Sequence, residues 1–422
     1  MEKTKCEFNT KNNISSEELA IFEKIKQDFP SLNENTVYLD SSSTTQKPRY
    51  VIDAVNEYYL KYCSNTGRGV YEWARAATNK VSKVRKQVAD FINADESEIV
   101  FTTGATDSSN LIANSFGLKN LEDSNEILFC KEDHKSTILP WVNVVNILLN
   151  FGKKIHFKEV LIDTEGDYKE DDLASKVNNN TKVVILTHIH NVFGLEMDIN
   201  LIVPRIRAVN PNCKIVLDCS QSIGHINVDM KKLDVDFAYF SGHKMFADTG
   251  IGICYVRQNN FKELFPYKVG GGMKVDDLKL DTVPNGYKML ESGTKNISGI
   301  ISLGKAIDYI NGIGIPLIEK YILYLTRYLY DSLKNIPNIE FEKGIDRCSC
   351  KLGFGILTFK VNGIQSSEIG EVLSDYGIYV RTGDFCKSTN NEDWIRISLH
   401  IYNSKQDIDK LIKVLMYILS EN

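Results

Sequence analysis

The chain of 422 residues lacks several features that would have assigned it to a specialised class of protein. It has no apolar stretch long enough to span a bilayer, and residues 1–13 contain no apolar segment of the kind that signal peptides carry. It has no long basic run and a formal net charge of −5, which argues against nucleic acid as its main partner. We therefore expect no membrane and no nucleic acid among its partners.

Paired cysteines are also missing. The nine cysteines form no Cys-x-x-Cys pair and follow no regular spacing. An odd, scattered set suits a reducing compartment better than a disulfide framework, so we expect a cytoplasmic protein. Cys348 and Cys350 lie two positions apart, but no second pair accompanies them, and we predict no metal site.

What the sequence does contain is ordinary for a globular protein, with 43% hydrophobic and 25% charged residues. Its length indicates more than one domain. We predict an N-terminal helical arm (1–36), a large domain (37–296) and a small α+β C-terminal domain (297–422), which is also a candidate to pack the arm.

Apolar runs and helical patterns alternate through the large domain. Helical spacing of apolar residues covers 48–63 and 71–93. Alternation of strands with helices predicts an α/β fold with a mostly parallel seven-stranded sheet and a ligand at the carboxyl ends of its strands. The predicted strands are 98–102, 126–130, 154–159, 182–187, 214–218, 235–240 and 251–256.

The small domain shows a shorter alternation after long helical patterns at 297–335. Its predicted strands are 353–361, 378–381 and 394–399, and its predicted helices are 366–376 and 404–419. In the arm, Ser15-Ser16 followed by Glu17-Glu18 predicts a helix that runs to about Asp28.

The segment 236–256, DFAYFSGHKMFADTGIGICYV, is the centre of the chemical interpretation. It predicts a strand, a glycine turn that presents Lys244, and a second strand. A partly desolvated lysine has a lowered pKa, and its neutral amine forms an imine with an aldehyde. Ser241 and His243 beside it suit a phosphate. The alternative is a strand-end lysine beside an ordinary turn.

Three other segments point to a phosphorylated aldehyde cofactor. Asp218, after the run KIVLD, can hold a protonated ring nitrogen, with Gln221 near a ring hydroxyl. His134, after strand 126–130, can lie flat on the ring. The turn Gly104-Ala105-Thr106 opens a helix whose amides can bind a phosphate. The respective alternatives are a helix cap by Asp218, a surface histidine, and an N-cap by Thr106.

Taken together, these segments resemble the fold-type I pyridoxal-phosphate enzymes of the class V aminotransferase family, and most closely the SufS-type (group II) cysteine desulfurases. The likeness covers nearly the whole chain. The matching stretches are YLDSSSTTQKP, RKQVADFINADESEIVFTTGAT, EDHKSTILPW, THIHNVFG, VLDCSQSIGHINVDMKKLDVDFAYFSGHKMFADTGIGICYV, ESGTKNISGI, YVRTGDFC and IRISLHIYN.

The resemblance implies a role for each matching residue around the pyridoxal 5′-phosphate cofactor. Lys244 is similar to the Schiff-base lysine, His134 to the stacking ring, and Asp218 and Gln221 to the partners of the ring nitrogen and ring hydroxyl. The remaining implied roles are phosphate binding by Gly104, Ala105, Thr106, Ser241 and His243, and carboxylate binding by Asn191 and Arg396. Thr294 matches a threonine that reaches the phosphate of the other subunit, which implies a homodimer.

Cys386 resembles the persulfide cysteine of these enzymes, and Arg381 lies in the strand before its loop. The implied reaction converts L-cysteine to alanine, with L-selenocysteine as an alternative substrate, and passes sulfur to an acceptor, as in iron–sulfur cluster assembly. This sequence has Asp384 and Phe385 where the family usually has two histidines, and an anion near Cys386 raises a thiol pKa. The alternatives are a C–S lyase, a selenocysteine lyase or another class V enzyme that does not use Cys386, and a scaffold without turnover.

Overall fold

The structure, a computed structural model, describes residues 14–162, 170–273, 286–342, 353–383, 385 and 393–421. Its strands are β1 (Val37–Tyr38), β2 (Ile99–Thr102), β3 (Glu126–Cys130), β4 (His156–Val160), β5 (Thr181–Thr187), β6 (Lys214–Asp218), β7 (Phe237–Ser241), β8 (Gly252–Val256), β9 (Ile339–Phe341), β10 (Ile356–Val361), β11 (Ile378–Tyr379), β12 (Arg381–Thr382) and β13 (Ile395–Ser398). Its helices are α1 (Ser16–Ile25), α2 (Arg49–Lys61), α3 (Glu72–Phe91), α4 (Ala105–Ile112), α5 (Leu118–Asn120), α6 (Lys135–Asn150), α7 (Glu170–Lys176), α8 (Ile199–Val209), α9 (Met230–Leu233), α10 (Ile297–Ile313), α11 (Ile315–Leu333), α12 (Ser366–Asp375) and α13 (Lys405–Glu421).

A seven-stranded sheet forms the centre of the large region, in the order β2–β8–β7–β6–β5–β3–β4. Strands β7, β6, β5, β3 and β4 are parallel, whereas β8 is antiparallel to both of its neighbours. All seven predicted strands are present, and their ends differ from the prediction by at most two residues. The predicted mostly parallel α/β sheet is therefore confirmed.

Both faces of this sheet are buried. Side chains alternate between the faces of a strand, so Val184 and Leu186 of β5 join one apolar cluster while Val183 and Ile185 join the other. Helices α3, α8 and α10 contribute to the first cluster, and α4 and α6 to the second. A parallel sheet covered on both faces requires near-continuous apolar strands, and this is why the sequence pattern located them well.

The small region contains a four-stranded antiparallel sheet in the order β12–β13–β10–β9. Strand β9 was not predicted, because its three residues are partly or fully exposed and form no apolar run. The predicted strand 378–381 is two short strands: β12 pairs with β13, whereas β11 pairs in parallel with β1. The long helical pattern at 297–335 divides at Gly314, whose φ of 93° ends α10.

The N-terminal helix α1 packs on the helices of the small region. It begins at the position that the sequence predicted, with a capping box between Ser15 and Glu18. The ring of Phe22 stacks on Tyr321 at 3.7 Å, and Lys26 pairs with Asp407 at 2.8 Å. The predicted boundaries at 36/37 and 296/297 stay predictions, and β1 shares its short sheet with the small region.

Across the described ranges, no helix combines the length and the apolarity needed to cross a membrane. The same residues contain no group of three or more His, Cys, Asp or Glu side chains arranged to hold a metal ion.

Candidate active site

Lys244 lies on a short 3₁₀ turn, Gly242–Lys244, directly after the fully buried strand β7. The turn is tight, because a Cβ atom at Gly242 would lie only 2.8 Å from Cγ2 of Ile251. Two residues after the lysine, Phe246 has a φ of 70°, a left-handed conformation that is strained for a bulky side chain. The predicted strand, turn and strand around Lys244 are confirmed.

The lysine opens into a cleft at the carboxyl ends of β5, β6 and β7, where a doubly wound sheet places its ligand. Most of the residues singled out in the sequence lie in its wall. The lining side chains are Ser42, Ser43, Ala105, Thr106, His134, Ser136, Thr187, Ile189, Asn191, Asp218, Ser220, Gln221, Ser241, His243, Lys244, Arg381, Phe385 and Arg396.

Asp218 ends β6 and presents a fixed carboxylate to this cleft. Thr137 Oγ1 donates to Asp218 Oδ2 at 3.0 Å, and the backbone amide of Ser220 donates to Oδ1 at 2.8 Å. The hydroxyl of Tyr239 in turn donates to Thr137 Oγ1 at 3.2 Å. The segment after Asp218 is a run of turns rather than a helix, so the helix-cap alternative is wrong. A buried, oriented carboxylate of this kind can hold a cationic ring nitrogen.

His134 is the N-cap residue of α6, and its Nδ1 accepts a hydrogen bond from the backbone amide of Ser136 at 3.1 Å. The pKa of His134 is lowered to about 4, chiefly by burial; the nearby charge of Lys244 acts in the same direction, and Asp218 opposes the shift. The imidazole is therefore neutral near pH 7. A neutral, half-buried ring in the cleft wall suits an aromatic ligand, and the surface-histidine alternative does not describe it.

The predicted phosphate turn opens α4. Gly104 is its N-cap residue with a φ of 154°, and a Cβ atom at Gly252 would lie 2.5 Å from Gly104 Cα, so β8 packs tightly behind the turn. The amide of Ala105 donates to Ser241 Oγ at 2.8 Å, and Thr106 Oγ1 lies 3.0 Å from Ser136 Oγ. Thr106 is the second residue of the helix, so the alternative that makes it the N-cap is wrong. Ala105 and Thr106 line the cleft, whereas Gly104 shapes the turn from behind.

His243 adds an unsatisfied polar atom to the same end of the cleft. Its Nδ1 is buried and has no hydrogen-bond partner among the described residues. Burial lowers the pKa of His243 to about 4, and the charges of Lys244 and Lys47 act in the same direction. A buried polar atom without a partner is uncommon and is satisfied when a ligand supplies one. Together with the amino end of α4, His243 fits an anionic oxygen group.

Asn191 and Gln221 lie in the wall with their amides already engaged. Asn191 Nδ2 donates to the carbonyl of Phe385 at 3.1 Å, and Gln221 Nε2 donates to the carbonyl of Ser42 at 3.1 Å. Both side chains are buried. The structure thus brings them to the cleft, while their predicted contacts with a cofactor or substrate stay predictions.

Arg396 of β13 enters the cleft from the small region. Its Nη2 donates to Asp40 Oδ1 at 3.0 Å and to Ser43 Oγ at 2.9 Å, and its Nη1 donates to the carbonyl of Asn191 at 3.1 Å. The ring of Phe385 lies 5.2 Å from the guanidinium carbon, a cation–π distance. These contacts fix a buried positive charge in the wall of the cleft, where a substrate carboxylate can bind. Arg381 also lines the cleft, but it is exposed.

Besides Gly104, one predicted site residue among those that the structure describes does not line this cleft. Thr294 is exposed and does not line it. Its loop is anchored at Glu291, whose two carboxylate oxygens accept from Arg85 Nη1 and Nη2 at 2.8 Å in a buried pair. Cys386 lies outside the described residues, so its predicted role stays a prediction.

Several residues of the site were missed in the sequence. Ser42, Ser43 and Asp40 belong to a hydroxyl-rich loop whose unusual composition was a usable signal. Thr137, in contrast, is one threonine among many, and its contact with Asp218 spans 81 positions of the chain. No local pattern could have singled it out.

Comparison with known proteins shows the family to which this chain belongs. The sequence profile described as "Aminotransferase class-V" matches residues 37–411. The chain belongs to the class-V aminotransferase family.

Class-V relatives named cysteine desulfurase match the chain along almost its full length. The cysteine desulfurase of Wigglesworthia glossinidia brevipalpis is 34% identical over 408 residues, covering 94% of this chain and 97% of the relative. The apo structure of cysteine desulfurase from Thermococcus onnurineus NA1 has a TM-score of 0.86 and 30% identity, covering 95% of this chain and 98% of that one. The cysteine desulfurase CsdA from Escherichia coli, solved as an S-sulfonic acid, has a TM-score of 0.85 and 26% identity, covering 97% and 99%.

Proposed function

We propose that this protein is a pyridoxal 5′-phosphate-dependent cysteine desulfurase that converts L-cysteine to L-alanine and carries the sulfur as a persulfide on Cys386. The observation that carries the proposal is the convergence of Lys244, His134 and Asp218 in one cleft at the carboxyl ends of the central strands. Full-length similarity to proteins named cysteine desulfurase supports the same reaction. Placement in the SufS-type group is part of this proposal.

The residues present fit the cofactor. Asp218 offers a carboxylate for its ring nitrogen, and Gln221 offers an amide near its ring hydroxyl. The buried Nδ1 of His243 and the amino end of α4 fit its phosphate. When bound, pyridoxal phosphate supplies an electron sink for the α-carbon of an amino acid.

Lys244 has two tasks in this proposal. Its Nζ would hold the cofactor through the cofactor's aldehyde group, and its free amine would be the base that moves the α-proton of the substrate. Asp218 would hold the ring nitrogen as an ion pair. His134, a neutral imidazole, would be the side chain that stacks on the ring.

The wall of the cleft that contains Arg396 binds the substrate, and Cys386 supplies the nucleophile. Arg396 grips the substrate carboxylate by charge-assisted hydrogen bonds, with Asn191 beside it and the exposed Arg381 at the entrance. The thiolate of Cys386 attacks the substrate sulfur, so that a sulfur–sulfur bond forms while the carbon–sulfur bond breaks. The electron pair of the broken bond stays with the carbon fragment, which is protonated and leaves as alanine.

Replacement of the proposed nucleophile tests this function. Purified wild type and Cys386→Ala are incubated with L-cysteine and a reductant, and alanine and sulfide are measured. We expect both products from wild type and loss of both from the variant. The control is Cys63→Ala, because Cys63 is an exposed cysteine outside the cleft. Sulfide release that survives in Cys386→Ala, with pyruvate in place of alanine, would contradict the desulfurase and favour a C–S lyase.

We further propose a homodimer and a sulfur-acceptor protein as partners. The dimer is supported by Thr294, which is exposed and away from its own chain's cleft, as expected of a residue that serves a second subunit. Light scattering of the purified protein should give the mass of two chains, and a single-chain mass would contradict the dimer. The nine cysteines are odd in number and irregularly spaced, which supports a reducing, cytoplasmic location.

A further inference from the structure

The backbone carbonyl of His243, the residue before Lys244, accepts an unusual number of hydrogen bonds. Four donors from the segment 44–47 lie within reach of this single oxygen. They are the amide of Thr45 at 2.9 Å, Thr45 Oγ1 at 3.0 Å, Thr44 Oγ1 at 3.2 Å and Lys47 Nζ at 3.2 Å. A carbonyl oxygen has two lone pairs, and here four donors share them, so the position of this oxygen is strongly constrained.

Thr45 also binds the other side of the lysine turn. Its Oγ1 accepts from the backbone amide of Phe246 at 2.9 Å while donating to the carbonyl of His243. Phe246 is the buried residue whose φ of 70° is strained. Strain of this kind persists only where surrounding contacts over-determine the backbone, and it concentrates at functional sites. One buried hydroxyl therefore braces the chain on both sides of Lys244.

Lys47 adds a charged donor to the same contact. Its Nζ donates to the carbonyl of Thr45, two residues earlier in the chain, at 2.6 Å as well as to that of His243. The titratable groups around it are Asp248, which favours its protonated form, and His243 and His400, whose pKa values burial lowers. Burial lowers the pKa of Lys47 to about 8, so it remains largely cationic near pH 7. A cationic donor makes the stronger hydrogen bond to a carbonyl oxygen.

We propose that Thr45 and Lys47 are positioning residues for Lys244: both hold the carbonyl of His243 and so fix the turn that presents the lysine. This inference rests on the proposed cofactor chemistry at Lys244, because it concerns the orientation of the nitrogen that meets the cofactor. It gives a role to the segment 44–47, TTQK, which makes none of the proposed contacts with the cofactor.

Four variants and two matched controls test the proposal. Thr45→Val and Lys47→Met remove the contacts, whereas Thr45→Ser and Lys47→Arg retain a hydroxyl and a cation. Thr326→Val is the control for Thr45, because Thr326 Oγ1 is also buried, donates to the carbonyl of Ile322 at 2.7 Å and accepts from the amide of Gly355 at 3.0 Å. Lys119→Met is the control for Lys47, since Lys119 Nζ donates to two carbonyls at 2.9 and 2.8 Å far from the cleft.

The readouts are the pH titration of the absorbance band of the bound cofactor, kcat and KM for alanine formation, and the melting temperature. Lys47→Met should change the midpoint of the absorbance transition and lower kcat, because the turn that presents Lys244 loses the hydrogen bond from Lys47 to the carbonyl of His243. Thr45→Val should lower kcat by about tenfold with KM within about twofold, since one buried hydrogen bond is worth about 1.4 kcal/mol or a factor of ten. Thr45→Ser and Lys47→Arg should restore wild-type values.

The controls Thr326→Val and Lys119→Met should change the melting temperature alone, and this behaviour defines the result that would overturn the inference. If Thr45→Val and Lys47→Met behave like these controls, with an unchanged band titration and unchanged kcat, the two residues are merely structural. Failure of the wild type to bind the cofactor would instead contradict the proposed function, so the two failures are distinguishable.

Discussion

The two walls of the cleft are built from different parts of the chain. The wall around Asp218, Ser241 and Lys244 stands on neighbouring strands of the central sheet, whose backbone bonds fix it. The opposite wall joins Arg396 of β13 to Asp40 and Asn191 through side-chain contacts that span 356 and 205 positions of the chain. The first wall is rigid by secondary structure, whereas the second depends on how two regions pack.

The two walls are proposed to have different functions. The sheet wall carries the groups proposed to act on the cofactor, which must keep one geometry through the reaction. The small-region wall carries those proposed to bind the substrate carboxylate and to present Cys386. Substitutions in the sheet wall should therefore reduce kcat, while substitutions in the other wall should mainly raise KM.

The largest effect is expected from Asp218→Asn. The amide cannot stabilise a protonated ring nitrogen, so kcat for alanine formation should fall by about 10²- to 10³-fold, as on removal of another preorganised electrostatic contact. KM should change little. Steady-state kinetics with L-cysteine at saturating cofactor measures both values.

The matched control for Asp218→Asn is Asp236→Asn. Asp236 is equally buried and lies at the far end of the sheet, where it accepts from the amide of Ile215 at 2.9 Å and from Arg207 Nη2 at 2.7 Å. This control should lose stability and keep kcat per folded protein. Equal losses of kcat in both variants would mean that Asp218 matters only for folding.

The same difference explains how far the sequence could predict the molecule. Strands β5, β6 and β7 are buried apolar runs, so their carboxyl ends, and with them Asp218 and Lys244, could be located from local pattern. The contacts of Arg396 with Asp40 and of Asp218 with Thr137 join distant segments that no local periodicity connects. Strand β9 escaped prediction for a different reason, because its side chains are partly or fully exposed and form no apolar run.

A smaller effect is expected from Arg396→Lys. Lysine keeps the charge but loses the planar fork that binds a carboxylate through two hydrogen bonds. A charge-assisted hydrogen bond is worth about 1.5–3 kcal/mol, so KM for L-cysteine should rise by about ten- to a hundredfold with a lesser change in kcat. The exposed Arg381, changed to lysine, should raise KM less. A larger effect at Arg381 than at Arg396 would reverse the two assignments.

A separate effect, on stability and not on activity, is expected in mild acid. Burial lowers the pKa of His134, His188, His225 and His243 to about 4. Below pH 6.5 the unfolded chain binds protons that the folded protein does not bind until about pH 4, so stability is full above 6.5 and falls as the pH approaches 4. Each such histidine contributes up to about 1.4 kcal/mol per pH unit.

Urea unfolding between pH 7.5 and 5 measures this pH dependence. His188→Gln should reduce the slope by about one proton, since His188 is buried. His225→Gln should reduce the slope by a similar amount, because His225 is also buried. A free energy of unfolding that is constant over this range would contradict the assignment of neutral, buried histidines around the sheet wall.

The attachment point of the cofactor is the most direct test of the whole account. The protein is supplied with pyridoxal phosphate and reduced with borohydride, which converts an imine into a stable amine, and its peptides are analysed by mass spectrometry. The account predicts one modified lysine, Lys244, and no modification of Lys47, whose Nζ contacts backbone carbonyls instead. An unmodified Lys244, or a pyridoxyl group on a different lysine, would contradict it.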